Sequence, residues 1–276
     1  MPVAVLSGAR QTGKSTLVQS MEAPARTFMS LDDPAVAELA ATDPGSLLEG
    51  AGPITIDEIQ LAPALLRAVK RAIDRARSNG RVLLTGSANL LTMSSVTESL
   101  AGRASYLTLW PMTRREQRGF GRAGLWGELL DVPDERWLDL VSADTVGAED
   151  WKALARRGGF PTPALQLTHS EDRAIWFEGY VRTYLERDLR ALSNVASLPD
   201  FRRLMRAAAL RVGQLVNQSE LGRDVGLPQP TVHRHLNLLE TSYMLVRVPA
   251  FTPNRTSRLI KTPKLYWSDP GLALHL

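Results

Sequence analysis

Eight residues near the start of the chain, Gly8-Ala9-Arg10-Gln11-Thr12-Gly13-Lys14-Ser15, space two glycines, a lysine and a hydroxyl in a way suited to holding phosphate. The glycines let the backbone curl until successive N–H groups point inward, which makes a concavity for an anion. The apolar run 3–7, VAVLS, reads as a buried strand, and a helix is expected from about Gly13, so the helix's positive dipole end faces the same point. The expected ligand is a nucleoside triphosphate. Gly8, Arg10, Gln11, Thr12, Gly13, Lys14, Ser15 and Thr16 are the residues expected to line it. Lys14 is expected to reach the β- and γ-phosphates and Ser15 to hold Mg2+ through its hydroxyl.

Hydrolysis needs more than a cradle. The segment 53–60, PITIDEIQ, drives an apolar strand into two adjacent acids, which delivers both to the carboxyl edge of a sheet. Successive strand residues face opposite ways, so the acids divide the work: Asp57 orients Mg2+ and Glu58 polarises the attacking water. The run 81–89, RVLLTGSAN, ends a further strand in Thr85, Ser87 and Asn89. Ser87 is the first candidate for sensing the γ-phosphate and Asn89 the second; a simple turn is the alternative. Arg103, just before the last strand, is a candidate for stabilising developing charge, against the plainer reading of a surface pair.

These side chains require an α/β scaffold. Five short apolar runs up to position 110 alternate with helical patterns, indicating a mostly parallel sheet of the P-loop NTPase type with a strand inserted between the phosphate-loop and acidic strands. One helix, over Pro63–Ser78, keeps Leu66, Val69, Ala72 and Ile73 on one face, and Gly80 stops it. From Pro111 the sequence turns basic and glycine-broken, as in a connector, and 158–165, GGFPTPAL, is a turn cluster. The expected division is a P-loop domain over 1–120, a connector and helical segment over 121–210, and a winged-helix domain over 211–276.

The composition of the 276-residue chain is that of a packed globule: 44% hydrophobic, 22% charged, with a net charge of +4. That balance permits an acidic partner without requiring one. The absence of cysteine excludes disulfides, thiol catalysis and Cys-bound zinc. No apolar run reaches the roughly 20 residues of a membrane span, and the first residues lack a signal-peptide pattern, so the expected location is cytoplasmic, without membrane contact.

Taken in order, GARQTGKST, SLDDP, ITIDEIQ, LLTGSANLL, SLAGR, GGFP, YLERDL, VNQSELGRDVGLPQPTVHRHLNLLE and KTPKLYWSDPGLA resemble the bacterial and archaeal AAA-superfamily ATPases of the AAA_14 type joined to a DUF4143 region. The resemblance implies that the nucleotide is ATP, with ADP as the product of hydrolysis, and that a winged helix follows. Members of that group carry residues ahead of the first strand that help hold adenine, and a longer C-terminal region, so the chain resembles a shortened form.

The residues of the C-terminal third carry their own expectation. Two short helices around a Gly226 turn would bury Leu221, Val225, Val232, Leu236 and Leu239. Gln229, Thr231 and Arg234 then fall near the start of the second helix, where a recognition helix meets base edges. The runs 243–251 and 264–269 can pair as strands, and the basic stretch between them, with Arg255, Arg258 and Lys261, has the form of a wing touching phosphates. Duplex DNA is the partner this pattern suggests; a module that contacts protein, or a second copy of the chain, is the alternative. His233 and His235 point in different directions on a helix, which argues against a metal site. The functional expectation is an ATP hydrolase coupled to a winged helix. The alternative is a nucleotide-gated DNA- or protein-binding regulator with little turnover, and a small-molecule kinase ranks below both because the paired acids suit water activation.

Overall fold

The computed structural model of the chain describes residues 1–21, 26–50, 52–86, 100–120, 125–143, 149–183, 197–254, 256, 258 and 261–276. Ser87, Asn89, Arg255 and the YLERDL stretch lie outside the described residues.

All five expected strands form. They are β1 (Val3–Ser7), β2 (Thr27–Ser30), β3 (Ile54–Asp57), β4 (Val82–Gly86) and β5 (Ala104–Thr108), in the order β2-β3-β4-β1-β5 with every pair parallel. The strand β4 therefore stands between the phosphate-loop strand and the acidic strand. Ser7 is level with Gly86 and Thr108, and Ile56 with Leu84, so the loop, the acids and the end of β4 share the carboxyl edge.

The crossovers from β1 to β2, β2 to β3 and β3 to β4 carry helices because apolar side chains at helical spacing need a sheet face to cover. In α1 (Lys14–Ser20) Val18 packs with Leu6 and Leu83 on one face. After α2 (Pro34–Thr42), the third helix, α3 (Leu65–Arg75), buries Leu65, Leu66, Val69 and Ile73 against Val3, Val5, Ile56, Val82 and Leu84 on the other.

Beyond Pro111 the chain is more helical than a connector. A capping box, with Thr113 and Glu116 each bonded to the other's backbone N–H, starts α4 (Arg114–Gln117). There follow α5 (Leu125–Leu130), α6 (Trp137–Ala143), α7 (Trp151–Arg157) and α8 (Ser170–Tyr180). The last part holds α9 (Leu198–Ala209), α10 (Gln218–Val225), α11 (Gln229–Thr241), an antiparallel pair β6 (Leu245–Val248) and β7 (Lys264–Trp267), and α12 (Pro270–His275). Leu221, Val225, Val232, Leu236 and Leu239 are buried as expected. They belong to one apolar cluster that runs from Phe160 and Phe177 through Phe201 to Leu272.

Asp269 ties this second body together. Fully buried, it accepts hydrogen bonds from the N–H groups of Leu272 at 2.7 Å, capping α12, and of Gly159 at 2.5 Å and Phe160 at 3.2 Å. A Cβ on Gly158, whose φ is +70°, would lie 2.7 Å from the same carboxylate, so the glycine lets the chain approach the acid, while a Cβ on Gly159 would meet the Met112 carbonyl oxygen at 2.4 Å.

Candidate functional site

The loop after β1 folds as its residue types demand. Gly8 passes so close to the next strand's exit that a Cβ there would meet the Leu109 carbonyl oxygen at 2.2 Å. Gly13 has φ +89° and Gln11 φ +67°, the second a costly conformation for a residue with a side chain. The buried Thr12 hydroxyl donates to the Ala9 carbonyl at 2.9 Å. Arg10, Gln11 and Thr16 are exposed around the loop.

Lys14 is buried, and its ammonium donates to the carbonyls of Ala9 at 2.7 Å and Gly8 at 3.2 Å. Burial pushes its pKa down to about 8; the nearby Glu58 and Asp57 carboxylates oppose the fall without cancelling it. A cation drawn out of water and held by neutral carbonyls is a group prepared for an anion.

Asp57, at the end of β3, is buried between two hydroxyls. Ser15 donates to its Oδ2 at 2.7 Å, and the fully buried Thr85 of β4 donates to its Oδ1. These hard oxygen donors on Ser15 and Asp57 suit Mg2+, which is bound through a few carboxylate or hydroxyl oxygens together with ligand phosphate and water. Glu58 follows in the left-handed region at φ +57° and accepts from the Gln60 amide. Bulky residues seldom adopt that conformation, and such strain gathers at functional sites. The turn swings Glu58 away from the strand direction that Asp57 follows.

Arg103 is not part of this arrangement. It precedes β5, and its carbonyl accepts from the Val3 N–H at 3.1 Å, which sets it at the amino edge of the parallel sheet. Four residues of strand separate that edge from Ser7, about 13 Å at 3.3 Å each. Its guanidinium is engaged there by Asp74 of α3, at 2.8 and 3.1 Å. The catalytic expectation for Arg103 is therefore corrected to a surface ion pair.

The remaining candidates lie on the second body. Gln229 and Arg234 are exposed and Thr231 half-buried near the start of α11. Gln229 donates to the Gln218 side chain of α10 at 3.1 Å. Between β6 and β7, Lys261 is exposed, while Arg258 donates to the Thr252 carbonyl at 3.0 Å and lies 5.8 Å from the Phe251 ring centroid. His235 is buried against Phe201, with ring centroids 5.2 Å apart.

Residues 1–117 match the family described as AAA domain. The match supports an AAA-type P-loop ATPase family, and with it nucleotide binding by the AAA domain. Residues 148–276 match the family described as Domain of unknown function (DUF8612), where a DUF4143 region was expected. The chain is also 32% identical, over 274 residues, to the uncharacterized protein Rv2008c of Mycobacterium tuberculosis and the uncharacterized protein Mb2031c of Mycobacterium bovis. Those alignments cover 98% of this chain and 55% of each relative, so the chain spans about half the length of the curated relatives it matches. Among the described residues, no helix is long and apolar enough to cross a membrane.

Two contacts to the AAA domain's loop had no local signal. Tyr180 of α8 donates to the Arg10 carbonyl at 3.2 Å, and Tyr243, just after α11, donates to the Ser7 hydroxyl at 2.8 Å. Thr85 stood among the candidate polar residues, but its bond to Asp57 depends on the register of β3 with β4.

Proposed function

We propose that the AAA domain binds ATP with Mg2+ and hydrolyses it. The reading is carried by one arrangement: the Asp57 carboxylate held between the Ser15 and Thr85 hydroxyls, beside a buried Lys14. The curled Gly8–Gly13 backbone and the Lys14 ammonium bind and orient the triphosphate. Ser15 and Asp57 would hold Mg2+, which when bound neutralises charge on the phosphate oxygens. Glu58 accepts the proton of the attacking water, and Ser87, the next residue in sequence after β4, is the proposed γ-phosphate sensor. Positioning and electrostatics, rather than covalent chemistry, supply most of the acceleration.

The unit α10–α11–β6–β7 is proposed as a winged helix whose partner is duplex DNA. The support is the order of elements, with Gln229, Thr231 and Arg234 at the start of the second helix and Arg255, Arg258 and Lys261 between the strands. A second reading, a nucleotide-gated module with slow turnover, draws support from the tyrosine contacts that join the second body to the loop.

Single-turnover hydrolysis by wild type and Glu58→Gln tests the first reading. Retained MgATP binding with hydrolysis at least a hundredfold slower in the variant is the expected result. Equal rates in both would remove Glu58 from the reaction, and binding without turnover in both would favour the gated module.

A further inference from the structure

The phosphate loop is walled on one side by residues more than a hundred positions away. Ala9, inside the loop, is fully buried and belongs to the apolar cluster of the second body rather than to the sheet's own cores. A Cβ on Gly13 would touch Pro161 at 3.6 Å. Tyr180 grips the Arg10 carbonyl at 3.2 Å, with its ring stacked on Trp176 at 5.2 Å. Tyr243 grips Ser7, the residue immediately before Gly8, and the Ser7 hydroxyl in turn donates to the Leu107 carbonyl of β5 at 3.2 Å. The Tyr180 hydroxyl also lies 3.8 Å from the Met244 sulfur, which joins the two tyrosine contacts into one patch.

Tyr243 is held there against its own backbone preference. Both α10 and α11 end in the same motif. The Gly226 N–H bonds to Arg223 and the Leu227 N–H to Gly222; likewise the Tyr243 N–H bonds to Glu240 and the Met244 N–H to Leu239. The motif needs a left-handed residue, and glycine is the usual occupant. Gly226 supplies it for α10 at φ +69°, whereas α11 uses Tyr243 at φ +61°. A bulky side chain is seldom found in that conformation. What the tyrosine adds over glycine is the ring packed edge-on against Trp110, at 5.8 Å, and the hydroxyl on Ser7.

We propose that Tyr180 and Tyr243 are positioning residues of the nucleotide site, through which filling of the phosphate loop is transmitted to α11. This rests on the ATP-binding reading. A triphosphate that settles into the loop draws the Gly8–Gly13 amides inward, and the two tyrosines hold that segment through the Ser7 hydroxyl and the Arg10 carbonyl. Movement of either passes directly to the end of α11 and to α8. The exposed start of α11 then reports the state of the AAA domain.

Hydrogen exchange tests the link in wild type, Tyr243→Phe and the Tyr180→Phe/Tyr243→Phe pair, each with and without saturating MgATP. Loop amides report binding, and residues 236–247 report α11 and β6. Expected for wild type is protection of both segments. The variants retain loop protection at saturation, with MgATP binding weakened about three- to tenfold for the loss of a neutral hydrogen bond, and lose the protection at 236–247. Ser7→Ala removes the acceptor from the other side and gives the same loss, and adding Tyr243→Phe to it costs nothing further. A merely structural hydroxyl would alter nucleotide-free exchange instead of the nucleotide-dependent difference. Protection at 236–247 that survives in the double variant overturns the proposal, as does a wild type whose loop binds while 236–247 stays unchanged. A wild type whose loop binds no MgATP overturns the ATP-binding reading and this one with it.

Discussion

Binding of ATP should take up a proton near pH 8, and the amount follows from Lys14. In the free protein burial holds this ammonium near a pKa of about 8. Beside a triphosphate the charged form is favoured, so its pKa rises on binding. Each bound MgATP therefore takes up roughly 0.1 proton at pH 7, 0.5 at pH 8 and 0.9 at pH 9, and above pH 9 affinity falls about tenfold per unit. Calorimetry in two buffers of different ionisation enthalpy reads the uptake directly. Lys14→Arg supplies the control, because guanidinium stays charged throughout this range. It is expected to bind more weakly and with no uptake. An uptake at pH 8 below about 0.1, or one that persists in Lys14→Arg, would refute the assignment of Lys14 as the desolvated phosphate ligand.

Three further outcomes follow from described contacts. Thr85→Val, which keeps shape but strips the donor from Asp57, should lower unfolding stability by about 2 kcal/mol in urea titration, while Thr85→Ser stays near wild type. Asp269→Ala leaves the Gly159, Phe160 and Leu272 N–H groups without their acceptor and should cost at least about 3 kcal/mol, read as a lower denaturation midpoint with exchange rising first at 158–163 and 270–275. Burial, assisted by Arg234 and opposed by Asp200, holds the His235 pKa below its ordinary 6.5. The folded state then binds fewer protons, so stability should fall as pH drops below 6.5, by at most about 1.4 kcal/mol per unit, until the folded pKa is passed; His235→Leu should flatten that slope.

Much of the first part of the chain was legible because its signals are local. The central strands β1, β3 and β4 are buried along nearly their whole length and read as apolar runs, and the more exposed edge strands β2 and β5 formed where they were expected too. The loop spacing and the Asp57–Glu58 pair likewise depend on neighbours in sequence. Arg103 went wrong although the information was present: a parallel strand begins at the amino edge, so a residue ahead of β5 cannot stand beside the loop. The helix at Arg114–Gln117 was also readable from its Thr-x-x-Glu start, but the surrounding glycines and arginines concealed it. In the second body, the Gly226 turn and the periodic leucines gave α10 and α11. Tyr180 and Tyr243 reach partners 170 and 236 positions away, and Asp269, besides its local cap on Leu272, reaches Gly159, 110 positions away; no local spacing encodes these distant contacts.

The inserted strand β4 has a geometric consequence for the site. Neighbouring strands run about 4.8 Å apart, so the backbones of β1 and β3 stand about 10 Å from each other. Side chains close that width: Asp57 of β3 meets Ser15, beyond β1, at 2.7 Å, and Thr85 of the intervening β4 fixes the same carboxylate. A sheet in which β3 lay directly against β1 would have no strand between them to present Thr85 to that carboxylate.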